Sequence, residues 1–234
     1  MLEGVRSMSE LVVVKKKNSH VSEEIKKIRT NLKFAAVSED VKTIMITSSV
    51  PGEGKSFISA NLAAAFAQND EKVLIIDCDL RKGRQKKIFD VQVKQTGGFS
   101  SLLINKEWEE EYKKYIRKTE VNNLYVIPCG PYPPNPSELL SSDRCKKVIE
   151  KLKEKFDVVI LDCPPLVGLP DTLIISSYAD VSLVVAKHKS TPLELLEKSK
   201  KSLDNVGAKR INIILNQIDT KMKSYYYGHY YTDK

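Results

Sequence analysis

Residues 44–56 read Ile44-Met45-Ile46-Thr47-Ser48-Ser49-Val50-Pro51-Gly52-Glu53-Gly54-Lys55-Ser56. An apolar, β-branched run ends in a glycine-containing loop that closes on Gly54-Lys55-Ser56, and a helix-forming segment from Phe57 to Gln68 follows at once. The order strand, loop, helix is that of a phosphate-binding loop. Gly52 and Gly54 let the backbone curl until its N–H groups converge on an anion. The start of the helix adds its positive dipole end. Lys55 is placed to reach the terminal phosphates of a nucleotide, and the Ser56 hydroxyl to ligate Mg²⁺. The general pattern G-x-x-x-x-G-K-S/T asks for glycine at 49, where this chain has Ser49. Nucleotide contacts are expected from Ser49, Val50, Pro51, Gly52, Glu53, Gly54, Lys55, Ser56 and Phe57.

The pattern extends outward from this loop. Val73 to Ile76 is a second β-branched run and ends in Asp77-Cys78-Asp79. Leu124 to Ile127 and Val158 to Leu161 read as strands, the latter ending in Asp162-Cys163-Pro164-Pro165. Further strands are expected at 181–186 and 211–215, and helices at 171–178 and 192–205. A basic stretch from Leu80 to Gly98 reads as irregular, followed by helical patterns at 100–104 and 107–118. The prolines of Gly130-Pro131-Tyr132-Pro133-Pro134-Asn135-Pro136 exclude regular structure there. Ser137 is expected to cap one helix carrying Leu139, Leu140, Val148, Ile149 and Leu152 at helical spacing. Upstream, Ser22 is the expected N-cap of an amphipathic helix with Ile25, Ile28 and Leu32 on one face. Leu11 to Val14 reads as a short extended piece. Near-continuous apolar strands alternating with helices predict an α/β fold: a doubly wound, mostly parallel sheet flanked by helices on both faces. The expected organisation is a flexible N-terminal segment over 1–20, one domain over 21–220 and a mobile tyrosine-rich tail over 221–234.

Composition narrows the function classes. The 234 residues suit one large α/β domain, and 41% hydrophobic content supports a sizeable core. No apolar run approaches the roughly 20 residues that span a bilayer, and the N-terminus has no apolar signal region. The net charge of +8 arises from lysines spread along the chain, clustered at 15–17, 81–87 and 198–201. Without aromatic interleaving, this distribution reads as solvated surface rather than a nucleic-acid patch. Cys78, Cys129, Cys145 and Cys163 form no C-x-x-C pair and read as reduced core thiols.

Ligands of such sheets bind beyond the carboxyl ends of the strands. Three apolar runs end there in chemistry: the phosphate loop, Asp77 with Asp79, and Asp162. A nucleotide brings Mg²⁺, which takes a few carboxylates together with phosphates and waters. Asp162 fits a metal-holding role. Asp77 and Asp79, at i and i+2, point the same way in an extended segment, so one can assist the metal while the other handles a substrate proton.

These motifs resemble those of the bacterial tyrosine kinases tied to capsular and exopolysaccharide synthesis, a P-loop class related to MinD- and ParA-type ATPases. SSVPGEGKS (48–56) resembles the family's Walker A, VLIIDCDLRK (73–82) its extra A′ motif, and VVILDCPP (158–165) its Walker B. GPYPPNPSELL (130–140) resembles its PPNPxELL block. The resemblance runs from about residue 20 to 234. It implies a non-specific protein-tyrosine kinase with ATP/ADP and Mg²⁺ as ligands. Lys55 then neutralises the transferring phosphoryl group, Ser56 and Asp162 hold Mg²⁺, Asp77 assists the metal, and Asp79 is the candidate base. Arg81 is implied at the phosphates and Asn216 at the adenine. The chain departs from the family with Gly83 where proline is usual and Cys163 where threonine is common.

The tail strengthens this resemblance. Residues 224–231 read Ser-Tyr-Tyr-Tyr-Gly-His-Tyr-Tyr, with no aliphatic partners to bury the rings. The resemblance makes Tyr225, Tyr226, Tyr227, Tyr230 and Tyr231 the autophosphorylation sites. It also implies a homo-oligomeric ring, such as an octamer, in which one subunit's tail enters its neighbour's site. The family's E-x-x-R-x-x-R contact motif maps to Glu23, Lys26 and Arg29, and lysine at 26 loses the bidentate fork of arginine. Further implied partners are the cytoplasmic tail of a transmembrane activator, a protein-tyrosine phosphatase and protein substrates of a polysaccharide pathway. The implied location is cytoplasmic, with recruitment to the inner membrane face through the activator.

Two other classes compete. A MinD/ParA-like regulatory ATPase carries a lysine five positions before the P-loop lysine, where this chain has Val50. A nucleotide-binding scaffold without turnover fits poorly with intact Lys55, Asp77, Asp79 and Asp162.

Overall fold

The computed structural model describes residues 10–35, 41–92 and 97–218. Seven strands form one sheet: β1 (Thr43–Ser48), β2 (Val73–Asp77), β3 (Arg117–Lys118), β4 (Leu124–Ile127), β5 (Val158–Asp162), β6 (Val181–Lys187) and β7 (Ile211–Asn216), in the order β3-β4-β2-β5-β1-β6-β7. Every pairing is parallel except β3 with β4. The β-branched runs supply the interior strands, where both faces are covered and an unbroken apolar sequence is stable. Strand side chains alternate between faces. Ile44, Ile46, Ile75 and Ile160 accordingly enter the core that also holds Ile58 and Leu62 of the helix Lys55–Ala67. Met45, Leu74, Ile76, Val159 and Leu161 enter the opposite core, with Phe99, Leu140 and Leu203.

Register explains why the motifs meet. β1 lies between β5 and β6, so the phosphate loop leaves the middle of the sheet. Ile46 pairs with Asp162, and Asp77 pairs with Asp162 on the other side. Asp77 has the parity of Ile75, and Asp162 that of Ile160. Both carboxylates therefore point to the face that carries the phosphate-loop helix, whereas Cys78 and Cys163 face the other core.

Several local expectations are corrected. Leu11 to Val14 is no extended piece: Val12–Lys15 is one helical turn. Leu11 and Val13 are buried against the phosphate-loop helix, where Asn61 bonds both the Val13 N–H and the Glu10 carbonyl. The part of the N-terminal segment from residue 10 onward is thus docked, and the expected boundary at residue 20 falls inside the domain. Ser22 does not cap a helix. The helix runs His20–Ala35, and the buried Ser22 hydroxyl donates to the carbonyls of Val12 and Lys16. The helix expected after Ser137 is two, Pro136–Leu140 and Asp143–Lys153, the second capped by Ser142 through the Cys145 N–H. The stretch after Asp79 contains a turn of helix at Gln85–Ile88. The 107–118 pattern resolves into Trp108–Glu111, a 3₁₀ turn at Tyr112–Tyr115 and the short edge strand β3. The expected tail, with its tyrosines, lies outside the described residues. Among the described residues, no helix is long and apolar enough to cross a membrane.

Candidate active site

The phosphate loop joins β1 to the helix Lys55–Ala67 with two left-handed glycines, Gly52 at φ 86° and Gly54 at φ 96°. The N–H groups of Gly54, Lys55 and Ser56 have no partner among the described residues. They form the cradle that suits a phosphate. The loop is braced from inside. The buried Glu53 carboxylate accepts the Val50 N–H at 2.9 Å and the Thr191 hydroxyl. The Asn216 amide donates to the Glu53 carbonyl at 2.8 Å. Ser49, where the general pattern has glycine, is buried and bonds through its hydroxyl to Ser199 Oγ at 2.9 Å.

Lys55 is the electrostatic centre. Its Nζ lies 3.1 Å from Asp79 Oδ2, 3.9 Å from Asp162 Oδ1 and 3.3 Å from the Ser56 hydroxyl. Burial works against its charge, but the carboxylates of Asp162 and Asp79 outweigh it and hold its pKa above the ordinary lysine value. Asp162 is fully buried. Its two oxygens accept from Ser59 Oγ at 3.1 Å and from the Gln85 amide at 2.7 Å. Asp77 is also fully buried and accepts the N–H of Gln85 at 2.9 Å and of Asp79 at 3.3 Å. Burial, and next the neighbouring Asp162, push its pKa well above the usual carboxylate range. Asp79 accepts the N–H groups of Arg81 and Lys82 on Oδ1, which leaves Oδ2 to Lys55.

A cleft of about 1550 Å³ opens over this loop, lined by Gly52, Lys55, Ser56, Asp79 and Asn216 among others. The residues fit a magnesium–nucleotide. There is an N–H cradle, one ammonium for the terminal phosphates, a hydroxyl for the metal and a buried carboxylate behind it. When bound, Mg²⁺ supplies neutralisation of the charge on the phosphate oxygens.

The expected site residues fall into two groups. The loop, Lys55, Ser56, Asp77, Asp79 and Asp162 converge. Arg81 lines the cleft, but its guanidinium is committed to the buried Asp171, at 2.8 Å from Nε, and reaches Ser137 as well. Asn216 also lines the cleft, and its amide braces the loop backbone. Glu23, Lys26 and Arg29 lie away from the site on the helix His20–Ala35. Lys26 pairs with Glu23 at 2.7 Å, and Arg29 donates to the Ala65 carbonyl at 3.0 Å. All four cysteines are buried free thiols, and burial pushes Cys129 and Cys145 up to about 12, far from nucleophilic use. Sequence reading missed Ser59, Gln85, Asp171, Thr191 and Ser199. Ser59 was findable, one helical turn after Lys55; the others reach the site through folds of the chain that carry no motif.

Comparison with known proteins follows the same lines. A protein-family profile described as an AAA domain matches residues 41–217. The chain is 37% identical over 227 residues to the tyrosine-protein kinase YwqD of Bacillus subtilis, covering 96% of this chain and 94% of the relative. It is 40% identical over 215 residues to the tyrosine-protein kinase ptk of Acinetobacter johnsonii, covering 92% of this chain but 29% of that longer relative. Among solved structures, the chimerical protein CapA2B2 superposes with a TM-score of 0.84 at 36% identity, covering 91% of each chain. MinD of Pyrococcus horikoshii, complexed with Mg-ADP, shares the fold at a TM-score of 0.60 and 23% identity, covering 78% of this chain and 76% of that one.

Proposed function

Because the chain belongs to the bacterial tyrosine-kinase family of P-loop proteins, we propose that it transfers the γ-phosphoryl group of ATP to tyrosine hydroxyls, first of all those of its own tail, Tyr225, Tyr226, Tyr227, Tyr230 and Tyr231. The observation that carries this reading is Asp79. It lines the same cleft as the phosphate loop and keeps one oxygen on Lys55 at 3.1 Å. A carboxylate in that position accepts the proton of an incoming hydroxyl once Lys55 turns to phosphate. Lys55 draws charge from the transferring group, and the N–H groups of the loop hold the phosphates in place. Ser56 and Asp162 are the residues that would hold Mg²⁺, with Asp77 fixing the adjacent strand end. β7 runs parallel to β6 and β1, so the chain leaves the sheet beside the phosphate loop. Ile218 lines the cleft, and seven residues more, at about 3.3 Å each, span roughly 23 Å to Tyr225. That reach supports the tail as substrate.

The same reading extends to partners and location. We place the chain in the cytoplasm, recruited to the membrane by the cytoplasmic tail of a transmembrane activator. Exposed Val167, Ile213 and Leu215 at the cleft mouth support a partner docking there. Glu23, Lys26 and Arg29 are proposed as the ring contact, a polysaccharide pathway as the source of protein substrates, and a phosphatase as the opposing activity.

The test is incubation with Mg²⁺-ATP, with and without an activator tail peptide, followed by intact-mass and peptide mass spectrometry. Phosphotyrosine within 225–231, lowered at least about 100-fold by Lys55→Met and raised by the activator, is the expected result. ATP hydrolysis without phosphotyrosine under both conditions would move the assignment to a MinD-like regulatory ATPase.

A further inference from the structure

Gln85 is fully buried, although it stands in the basic stretch that follows Asp79. Its amide nitrogen donates to Asp162 Oδ2 at 2.7 Å and to the Ser56 carbonyl at 3.1 Å. Its backbone N–H donates to Asp77 Oδ2 at 2.9 Å. One residue therefore touches the phosphate-loop helix and both buried strand-end carboxylates. Its Oε1 is buried and has no hydrogen-bond partner among the described residues. Leaving such an oxygen unpaired carries its desolvation penalty, and native proteins rarely leave one so. Packing alone does not ask for a glutamine here, since fully buried positions are filled by apolar side chains. The local helix, Gln85–Ile88, has four residues and makes no demand of its own.

We propose that Gln85 is the positioning residue of the nucleotide–metal centre. Its amide nitrogen ties Asp162 to the first turn of the phosphate-loop helix and so fixes the carboxylate that would hold Mg²⁺. Groups that orient a metal's ligands tune metal affinity by about 10- to 100-fold. The second donation, to the Ser56 carbonyl, sets the distance between the metal-binding hydroxyl and the carboxylate. The sheet alone does not fix this distance, because Ser56 sits on the helix Lys55–Ala67 and Asp162 at the end of β5. The inference rests on the reading of the cleft as a magnesium–nucleotide site and adds to it the residue that makes affinity depend on the metal.

The experiment titrates a fluorescent ADP analogue onto the full chain, once in excess EDTA and once in millimolar MgCl₂, with thermal unfolding run in parallel. Gln85→Met fills the space but has no donor and only a weakly accepting thioether. Gln85→Asn keeps the amide one methylene short and serves as the milder variant should the first fail to fold. The expected result for Gln85→Met is a metal-free affinity within about twofold of the parent and a Mg²⁺-dependent gain cut by about tenfold or more. Gln85→Asn is expected to lose the gain in part. An unchanged gain in either folded variant overturns the proposal, as does equal weakening in EDTA and in Mg²⁺. A parent chain that binds no ADP at all refutes the nucleotide site itself. A parent that binds, with variants that match it, removes only the role of Gln85.

Discussion

Gly54 is held to glycine by two independent constraints. Its φ of 96° lies where side chains are strained, and an added Cβ would stand 2.3 Å from the Asn216 amide nitrogen. Gly54→Ala is therefore expected to cut ADP affinity about tenfold or more, the strain costing about 1–3 kcal/mol; titration with a fluorescent ADP analogue reads this directly. Asp171 makes a different residue-scale prediction. Burial raises its pKa, but hydrogen bonds from Arg81 and Ser137 prevail and hold it below the usual carboxylate value. A depressed folded-state pKa contributes stability that is present above the unfolded value, about 3.9, and lost as pH falls through the folded one. Asp171→Asn should thus lower stability at pH 7 by about 1–2 kcal/mol, the partly open guanidinium being screened, and the gap should close below about pH 4. Urea unfolding at both pH values tests it. A gap that persists at low pH would assign the loss to packing instead. Asp77 has the opposite sign: burial and then Asp162 raise its folded pKa, so ionising it in the folded state works against stability.

Among the elements, the phosphate loop depends on pieces far away in sequence. Thr191, between β6 and the helix Leu193–Asn205, accepts the Lys187 N–H at 2.7 Å and donates to Glu53. Ser199, on that helix, holds Ser49. The helix therefore presses the loop into shape from outside the nucleotide cleft. Thr191→Val keeps the volume and removes both bonds. A rise in KM for ATP of several-fold, with kcat changed less, is expected, because the loop's resting geometry is loosened while the reacting groups stay in place. Steady-state kinetics with unfolding as a control checks this, and threonine-to-serine exchange at 191 should restore the parent value.

At the scale of the molecule, parallel strands deliver every chemical group to one edge, and β7 sends the chain out at that same edge. Whether a tail reaches its own site or a neighbour's is decided by geometry between copies. If transfer runs between subunits, a chain ending at residue 218 should phosphorylate the tail of a full-length Lys55→Met chain when the two are mixed. Phosphotyrosine on the inactive partner, rising with concentration, is the expected reading. An inactive partner that stays unmodified at high concentration, beside a parent that modifies itself, would place transfer within one chain. The Glu23–Lys26 pair and the Arg29 bond to Ala65 show that part of the proposed contact is already engaged inside the monomer. A ring must offset the loss of those bonds.

What the amino-acid sequence by itself determined was the doubly wound sheet, the phosphate loop and the convergence of Lys55, Asp77, Asp79 and Asp162. Unbroken β-branched runs are stable only inside a covered parallel sheet, and such a sheet aligns its strand ends. Local capping was less legible. Ser22 and Ser137 have the chemistry of caps, yet Ser22 is spent on the carbonyls of Val12 and Lys16 and Ser137 on Asp171. Tertiary partners won over local ones. Only the tertiary structure decided the supporting shell: Gln85 on Asp162 and Ser56, Asp171 on Arg81, Thr191 and Ser199 on the phosphate loop. Each of those bonds joins residues from 29 to 150 positions apart. Side-chain hydrogen bonds at such separation leave no periodicity or spacing in the chain, because the sheet order that brings them together is set by the packing of the whole core.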